Sequence, residues 1–211
     1  MGGITVIDIV TRENRETHKL SMSSMFHDRK KVFVDILKWD IPNDGILEVD
    51  QFDDDFAEYL IVCDQESNLH LGSVRLLRTD RPHILGNVFP QLCDASVPRG
   101  PSIREITRLC LSPSLRAKER REVRDRLATA LVEYALLTDI HSYTGVAEMG
   151  WLTQILAMGW RCSPLGLPKP VGKSLIGALQ IHIGSESINL LRQAGTYSTS
   201  GLQFGRHQLA A

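Results

Sequence analysis

Several short strings in this chain combine residue types that could bind or transform a charged ligand. Arg29-x3-Phe33-x5-Trp39 puts a cation and aromatic rings in one segment, and Arg29 and Phe33 share a helix face one turn apart. A cation beside aromatic faces suits a sulfonium or an adenine-bearing ligand, although the same spacing also suits an amphipathic helix with core aromatics. Asp50 and Asp53 lie in an acidic run that reads either as a solvated loop or as a receptor for an amine or sulfonium. Arg75, in Gly72-Ser73-Val74-Arg75-Leu76-Leu77, is flanked by apolar strand residues. Its charge needs a partner there: Asp50, Asp53 or an acid group on a ligand.

Arg104-Glu105-Ile106-Thr107-Arg108 sets charges inside an apolar strand. Buried carboxylates with shifted pKa values are common general bases. In a regular strand Glu105 and Arg108 point to opposite faces, so either they do different jobs or a bulge breaks the alternation. An edge strand with solvated charges is the other reading. Farther on, Arg116, Arg120 and Arg124 recur every four residues, a stripe on one helix face, with Lys118, Arg121 and Arg126 around it. Glu119, Glu122 and Asp125 interleave, so this is either a salt-bridged helix surface or a dock for a polyanion. No Gly-rich phosphate loop precedes the helix.

The elements that must position these residues alternate along the chain. Residues 3–10 read as a strand, and residues 16–39 as a helix of irregular apolar spacing closed by Pro42-Asn43-Asp44-Gly45. Residues 58–64 and 70–77 read as a hairpin, and residues 79–100 as a long, proline-bearing loop with a function. A strand over 103–111, a long helix over 115–139 and a strand over 143–147 follow. A short helix over 151–157, a strand over 175–183 and a helix over 185–192 complete the order, with fraying from about residue 197. This order predicts an α/β protein: a mixed sheet between helices, a three-layer α/β/α sandwich. Without a clean linker, residues 1–211 read as a single domain.

Composition narrows the classes. The chain has 211 residues, 43% hydrophobic and 23% charged, with a net charge of -1, which excludes wholesale disorder and a globally basic nucleic-acid binder. Cys63, Cys93, Cys110 and Cys162 show no CxxC or Cys/His ligand spacing, so they read as reduced thiols and no metal is expected. No apolar run is long enough for a membrane span, and the first ten residues carry no leader, so the expected location is cytoplasmic.

Taken in order, Arg29-x3-Phe33-x5-Trp39, Asp50-x2-Asp53, Gly72-x2-Arg75-Leu76-Leu77, Phe89 and Glu105-x2-Arg108 resemble the LuxI-type autoinducer synthases, the acyl-homoserine-lactone synthases. The resemblance covers roughly residues 20 to 165. Thr107 stands where the family commonly has Ser, which keeps a hydroxyl. Ala147 falls where members preferring 3-oxo chains often carry Thr or Ser, so an oxo-acyl preference is not expected.

The resemblance implies a fold similar to the GNAT acetyltransferases. It also implies two substrates, S-adenosylmethionine and an acyl thioester carried by an acyl carrier protein or by CoA. The methionyl amine attacks the thioester to form an amide. The methionyl carboxylate then attacks its own γ-carbon, closing a lactone and expelling methylthioadenosine. Arg29, Phe33, Trp39, Asp53, Arg75 and Phe89 would organise adenosylmethionine and an N-terminal lid. Glu105 would accept the amine proton; alternatively Asp50 positions the ammonium and water takes it. Arg108 would support the lid through a carboxylate or contact the donor.

The acyl tunnel would draw on Leu109, Leu127, Leu131 and Met149, with Trp151, Leu152, Ile155 and Leu156. Arg116, Lys118, Arg120 and Arg124 would dock an acidic carrier. No cofactor is implied, since adenosylmethionine is a substrate, and neither nucleic acid nor a membrane span is expected. The alternative is a GNAT-type CoA-dependent N-acyltransferase acting on another amine. Such an enzyme should show a Gly-rich loop where this chain has Arg116-Ala117-Lys118-Glu119-Arg120-Arg121.

Overall fold

The computed structural model describes residues 6–203, and the chain gathers into two compact units. The first comprises the chain up to Arg75, Arg108–Ala130 and the residues from Ser198. In it β1 (Ile7–Val10) pairs antiparallel with β2 (Glu58–Cys63), Ile9 opposite Leu60. β2 is buried from Tyr59 to Cys63 on both faces, which is why it reads as an unbroken apolar run. β3 (His70–Arg78) lies beside β2, and β9 (Leu202–Gln203) adds to β1 in parallel.

The turn from β2 to β3 is closed by Asp64, whose carboxylate accepts the Glu66 and Ser67 N–H groups at 3.2 and 2.9 Å. Asn68 takes the left-handed conformation there (φ 55°), which its short polar side chain tolerates.

The expected helix over 16–39 is found with a change of pitch. A 3-10 turn, Arg15–His18, leads into α1 (Lys19–Arg29), which continues as a π-helical stretch, Lys30–Ile36. The wider turn, visible in Leu37 N–H bonding the Val32 carbonyl at 2.9 Å, accounts for the irregular apolar spacing. α3 (Ala117–Leu137) covers the sheet closely at Gly72, where a Cβ would collide with Val123 and come within 3.3 Å of Leu127. Only glycine permits that approach.

The second unit comprises Leu76–Thr107 and Leu131–Tyr197. β4 (Ile103–Leu111) pairs in parallel with β5 (Ser142–Glu148), Glu105 opposite Thr144. β5 pairs antiparallel with β8 (Ser174–His182), Val146 opposite Ala178. β6 (Arg161–Pro164) and β7 (Lys169–Val171) pair with β8. α2 (Ile84–Asn87), α4 (Met149–Leu156) and α5 (Ser187–Gln193) supply its other helices. Glu105 faces α2, whereas Tyr143, pointing the opposite way, donates its hydroxyl to the Leu131 carbonyl of α3 at 2.9 Å. The mixed sheet is thus helix-covered on both faces, as the strand and helix order predicts.

Some details depart from expectation. β6 and β7 lie in a segment to which the sequence assigned no element, because Pro164, Pro168 and Pro170 suppress a strand signal that sheet-edge pairing tolerates. The long loop over 79–100 holds α2 and a 3-10 turn, Pro90–Leu92. Fraying was expected from about residue 197, yet β9 pairs with β1; residues 204–211 and 1–5, the latter including residues 3–5 of the strand read over 3–10, lie outside the described residues. β4 runs between β3 and β5, so its charges are not those of a solvated edge strand.

Candidate active site

Five of the charged residues singled out in the sequence meet in the first unit: Arg29, Asp50, Asp53, Arg75 and Arg108. α1 presents Arg29, which grips Asp53 with both guanidinium nitrogens at 2.9 Å. Its Nε donates to Glu48 at 2.6 Å. Arg75 on β3 donates to both oxygens of Asp50, at 2.6 and 3.0 Å, and lies 2.8 Å from Asp53. Arg108 on β4 bridges Glu48 (3.0 Å) and Asp50 (2.8 Å). The Tyr59 hydroxyl donates to Asp53 at 2.8 Å.

Glu48, fully buried, is a member that sequence reasoning missed. It is one acid among Ile46, Leu47 and Val49, and no motif marks it. A buried carboxylate in so apolar a string was the available signal.

Guanidinium forks match carboxylates two bonds at a time, so this arrangement fixes the Asp50–Asp53 turn against α1, β3 and β4. Burial acts to raise the Asp53 pKa, but the hydrogen bonds and charge of Arg29, with the charge of Arg75, outweigh it and hold the carboxyl well below the usual range. Burial, aided by Asp53, drives the Tyr59 phenol upward, so it stays a donor.

Aromatic rings line the cluster. Phe33 stacks on Trp39 with centroids 4.8 Å apart, and Arg108 lies 5.6 Å over Phe33. The Trp39 N–H bonds the Phe33 carbonyl at 2.9 Å, and Lys38 between them adopts φ 58° to allow the stack. The π-helical stretch therefore ends in an aromatic stack beside cations.

Arg108 itself has φ 49°, the left-handed region, and this breaks the alternation of β4. Glu105 belongs to the second unit and is fully buried. Its carboxylate oxygens accept the Ile84 and Leu85 N–H groups, each at 2.7 Å, and so anchor the first turn of α2. Phe89, expected with the adenosylmethionine group, packs in the second unit against the apolar cluster of Leu85, Leu92, Ile176 and Ala178.

The tunnel candidates divide. Leu127 and Leu131 are buried along α3, and Leu152 is buried on α4 with Gly177 close by. Leu109, Met149, Trp151 and Ile155 are half-buried. Leu156 is corrected: it is 50% exposed, because the turn through Gly159 (φ 102°) brings Met158 and Trp160 inward in its place. Ala147 lies opposite Gly177, on the sheet face away from Thr144 and Glu105.

Within the basic stripe, Arg120 and Arg124 are half-buried and already engaged. Arg120 turns inward to the Ser112 carbonyl (3.1 Å), and Arg124 pairs with Asp125 at 2.6 Å. The exposed cations of this helix end are Arg116, Lys118 and Arg121. Periodicity identified a shared face but not that two of its cations, Arg120 and Arg124, are half-buried and engaged within the protein.

Two other chemistries are bounded. Asp28, His70 and Ser73 form a hydrogen-bonded chain with 2.9 Å links, but Ser73 is 1% exposed, so the chain ties α1 to β3 and presents no nucleophile. Burial pushes the Cys63 and Cys110 thiols up to about 12 and Cys162 up to about 11, which keeps them protonated. Among the described residues no His/Cys/Asp/Glu group could hold a metal, and no helix is long and apolar enough to cross a membrane.

The autoinducer synthase family model matches residues 12–191. An acyl-homoserine-lactone synthase of Rhizobium etli is 29% identical over 201 residues, which cover 91% of this chain and 95% of that protein. An isovaleryl-homoserine lactone synthase of Bradyrhizobium diazoefficiens is 27% identical over 191 residues, covering 88% and 84%. Among solved structures, the CoA-dependent acyl-homoserine lactone synthase BjaI, with MTA, superposes with a TM-score of 0.85 at 25% identity, covering 96% and 95%. The CoA-dependent synthase MesI superposes with a TM-score of 0.82 at 30% identity, covering 94% and 100%. A putative N-acetyltransferase from Lactobacillus plantarum shares the fold, with a TM-score of 0.56 at 17% identity, covering 85% and 99%.

A GNAT-like α/β fold carrying this arginine–carboxylate cluster defines an acyltransferase-type enzyme. The chain belongs to the autoinducer synthase family.

Proposed function

We propose that this enzyme makes an acyl-homoserine lactone from S-adenosylmethionine and an acyl thioester, by amide formation and then lactonisation with release of methylthioadenosine. The observation that carries this reading is the gathering of Arg29, Asp50, Asp53, Arg75 and Arg108 into one buried network beside the Phe33–Trp39 stack. Net charge within the cluster is balanced once Glu48 is counted, so its residues organise a loop beside an aromatic stack. Such ring faces suit an adenosyl ring and a sulfonium, a soft cation drawn to aromatic faces.

In this reading Arg29, Phe33, Trp39, Asp53 and Arg75 shape the adenosylmethionine end, and Asp50 and Arg108 hold the lid residues. Phe89 contributes an apolar wall beside α2. Glu105 holds the first turn of α2, a positioning task. Lactonisation needs the methionyl carboxylate in line with the carbon–sulfur bond, and fixed geometry is what such a step rewards. The acyl chain lies among Leu109, Leu131, Met149, Trp151, Leu152 and Ile155. The reaction needs no cofactor. Either an acyl carrier protein or CoA can carry the acyl group, and BjaI and MesI, both described as CoA-dependent, favour testing CoA first. We place the enzyme in the cytoplasm, where both substrates are made, and the two units act as one synthase domain.

The test is direct. Purified enzyme is given adenosylmethionine with acyl-CoA, or with acylated carrier protein, over a range of chain lengths. Free thiol, methylthioadenosine and an acyl-homoserine lactone of matching mass should appear in equal amounts. Release of none of them across the series would sink the reading.

A further inference from the structure

His70 opens β3 with its imidazole fully buried, and the proposed reaction makes no direct use of it. Its Nδ1 lies 2.9 Å from an Asp28 carboxylate oxygen on α1, and its Nε2 lies 2.9 Å from the Ser73 hydroxyl on β3. A carboxylate can only accept, so in the neutral ring Nδ1 donates to Asp28 and Nε2 accepts from Ser73. The His70 backbone N–H donates to the Ser24 hydroxyl at 3.1 Å. Ser24 and Asp28 are one helical turn apart and share a face of α1. One residue of β3 therefore holds α1 at two points along its length, which fixes both the rotation of the helix and its slide along the strand.

The tether is charge-assisted. Burial acts to raise the Asp28 pKa, but hydrogen bonds from His70 and Ser112, with the charge of Lys31, outweigh it and hold the carboxyl below its usual value. Bonds to an ionised acceptor are shorter and stronger than those between neutral groups.

The residues next to the two ends of this tether are arginines of the buried network. Arg29 follows Asp28 on α1, and Arg75 lies two residues beyond Ser73 on the same face of β3. Both reach Asp53, Arg29 at 2.9 Å and Arg75 at 2.8 Å. Two polar bridges thus join α1 to β3, one through Asp53 and one through His70. A two-pronged guanidinium–carboxylate pair is directional, so a small turn of α1 would break a prong. We propose that His70 is a positioning residue for adenosylmethionine binding: through Asp28 and Ser73 it sets α1 against β3 and so aims Arg29 and Arg75 at Asp53. All of these groups lie in the first unit. This role rests on the proposed function, which assigns Arg29, Asp53 and Arg75 to the adenosylmethionine end, and it adds a residue outside the motif strings.

The experiment titrates adenosylmethionine calorimetrically into the wild type, H70F, H70Q and the double variant D28L/H70F, and measures turnover and melting temperature of each. H70F leaves the buried Asp28 carboxylate short of a partner, so it should melt lower and bind adenosylmethionine about tenfold more weakly. D28L/H70F removes the stranded charge, so its melting temperature should return toward the wild type while the weak binding remains. H70Q, whose amide can donate to Asp28 and accept from Ser73, should bind with near wild-type affinity. In every variant kcat at saturating adenosylmethionine and KM for the acyl thioester should stay near the wild type. S73A removes a single hydroxyl and carries the same test if the larger replacements do not fold, with binding weakened about threefold. A double variant that recovers stability and affinity together, an H70Q as weak as H70F, an S73A of unchanged affinity, or an equal loss for the acyl thioester would each overturn the role. Wild-type release of methylthioadenosine is the control: its absence sinks the function beneath, whereas its presence with unshifted affinities overturns the His70 role alone.

Discussion

Arg29 and Asp53 face each other in a two-pronged ion pair, Nη1 to Oδ1 and Nη2 to Oδ2, both 2.9 Å, with each side chain about 1% exposed. Two charges this deep are tolerated because each has further partners: Glu48 for the arginine, Arg75 and Tyr59 for the acid. Removing one member leaves an uncompensated buried charge. D53N should therefore lower unfolding stability by about 3–5 kcal/mol, and R29K by less, since it keeps the charge but loses the fork. Urea unfolding should show the midpoint fall with an unchanged slope. A D53N midpoint within error of wild type would remove the network as a stabilising element.

The same carboxyl predicts an acid limit. Burial raises its pKa, but the arginines outweigh that and hold it below the ordinary value of 3.8. The folded state thus binds fewer protons here than the unfolded chain does. This contribution is fully present above about pH 4 and is lost as pH falls toward the folded value. Wild-type stability should decline below that point more steeply than that of D53N. Parallel pH profiles for the two would contradict it.

Glu105 carries a different expectation. In E105Q one side-chain oxygen can still accept an N–H, but the amide nitrogen would oppose the other donor at 2.7 Å. The first turn of α2 should loosen and turnover fall by about tenfold or more. With Glu105 a positioning residue, the acid limb of the pH–rate profile should survive the substitution. Loss of that limb would make Glu105 the base instead.

Carrier docking separates two sets of cations. Charge reversal at the exposed Arg116, Lys118 and Arg121 should raise KM for an acyl carrier donor but not for acyl-CoA, with a weaker salt dependence. Reversal at Arg120 or Arg124 should instead reduce thermal stability, because these hold the Ser112 carbonyl and Asp125. Unchanged carrier kinetics in the triple reversal would exclude this face as the dock.

Much of the site was legible because charges stood where charges are expensive. Arg75 between Val74 and Leu76 announced a partner, and Asp50 and Asp53 both proved to serve it. The alternation conflict between Glu105 and Arg108 announced a break in β4, found as the φ of 49° at Arg108. Glu48 was silent. It has no motif or period, and it matters only through groups distant in the chain: Arg108 lies 60 residues from it.

Local pattern by itself determined the alternation of strands and helices, the long apolar stripe of α3, the family, and the residue types able to meet a cationic nucleotide. These follow from periodicity and spacing, which act over a few residues. Tertiary structure alone decided that Arg120 is engaged by the Ser112 carbonyl, that Glu105 is engaged by Ile84 and Leu85, and that the His83 Nε2 has no hydrogen-bond partner among the described residues. Which donor meets which acceptor is settled only when the chain closes and water is excluded, since a buried polar group must take its partner from whatever segment packing brings beside it.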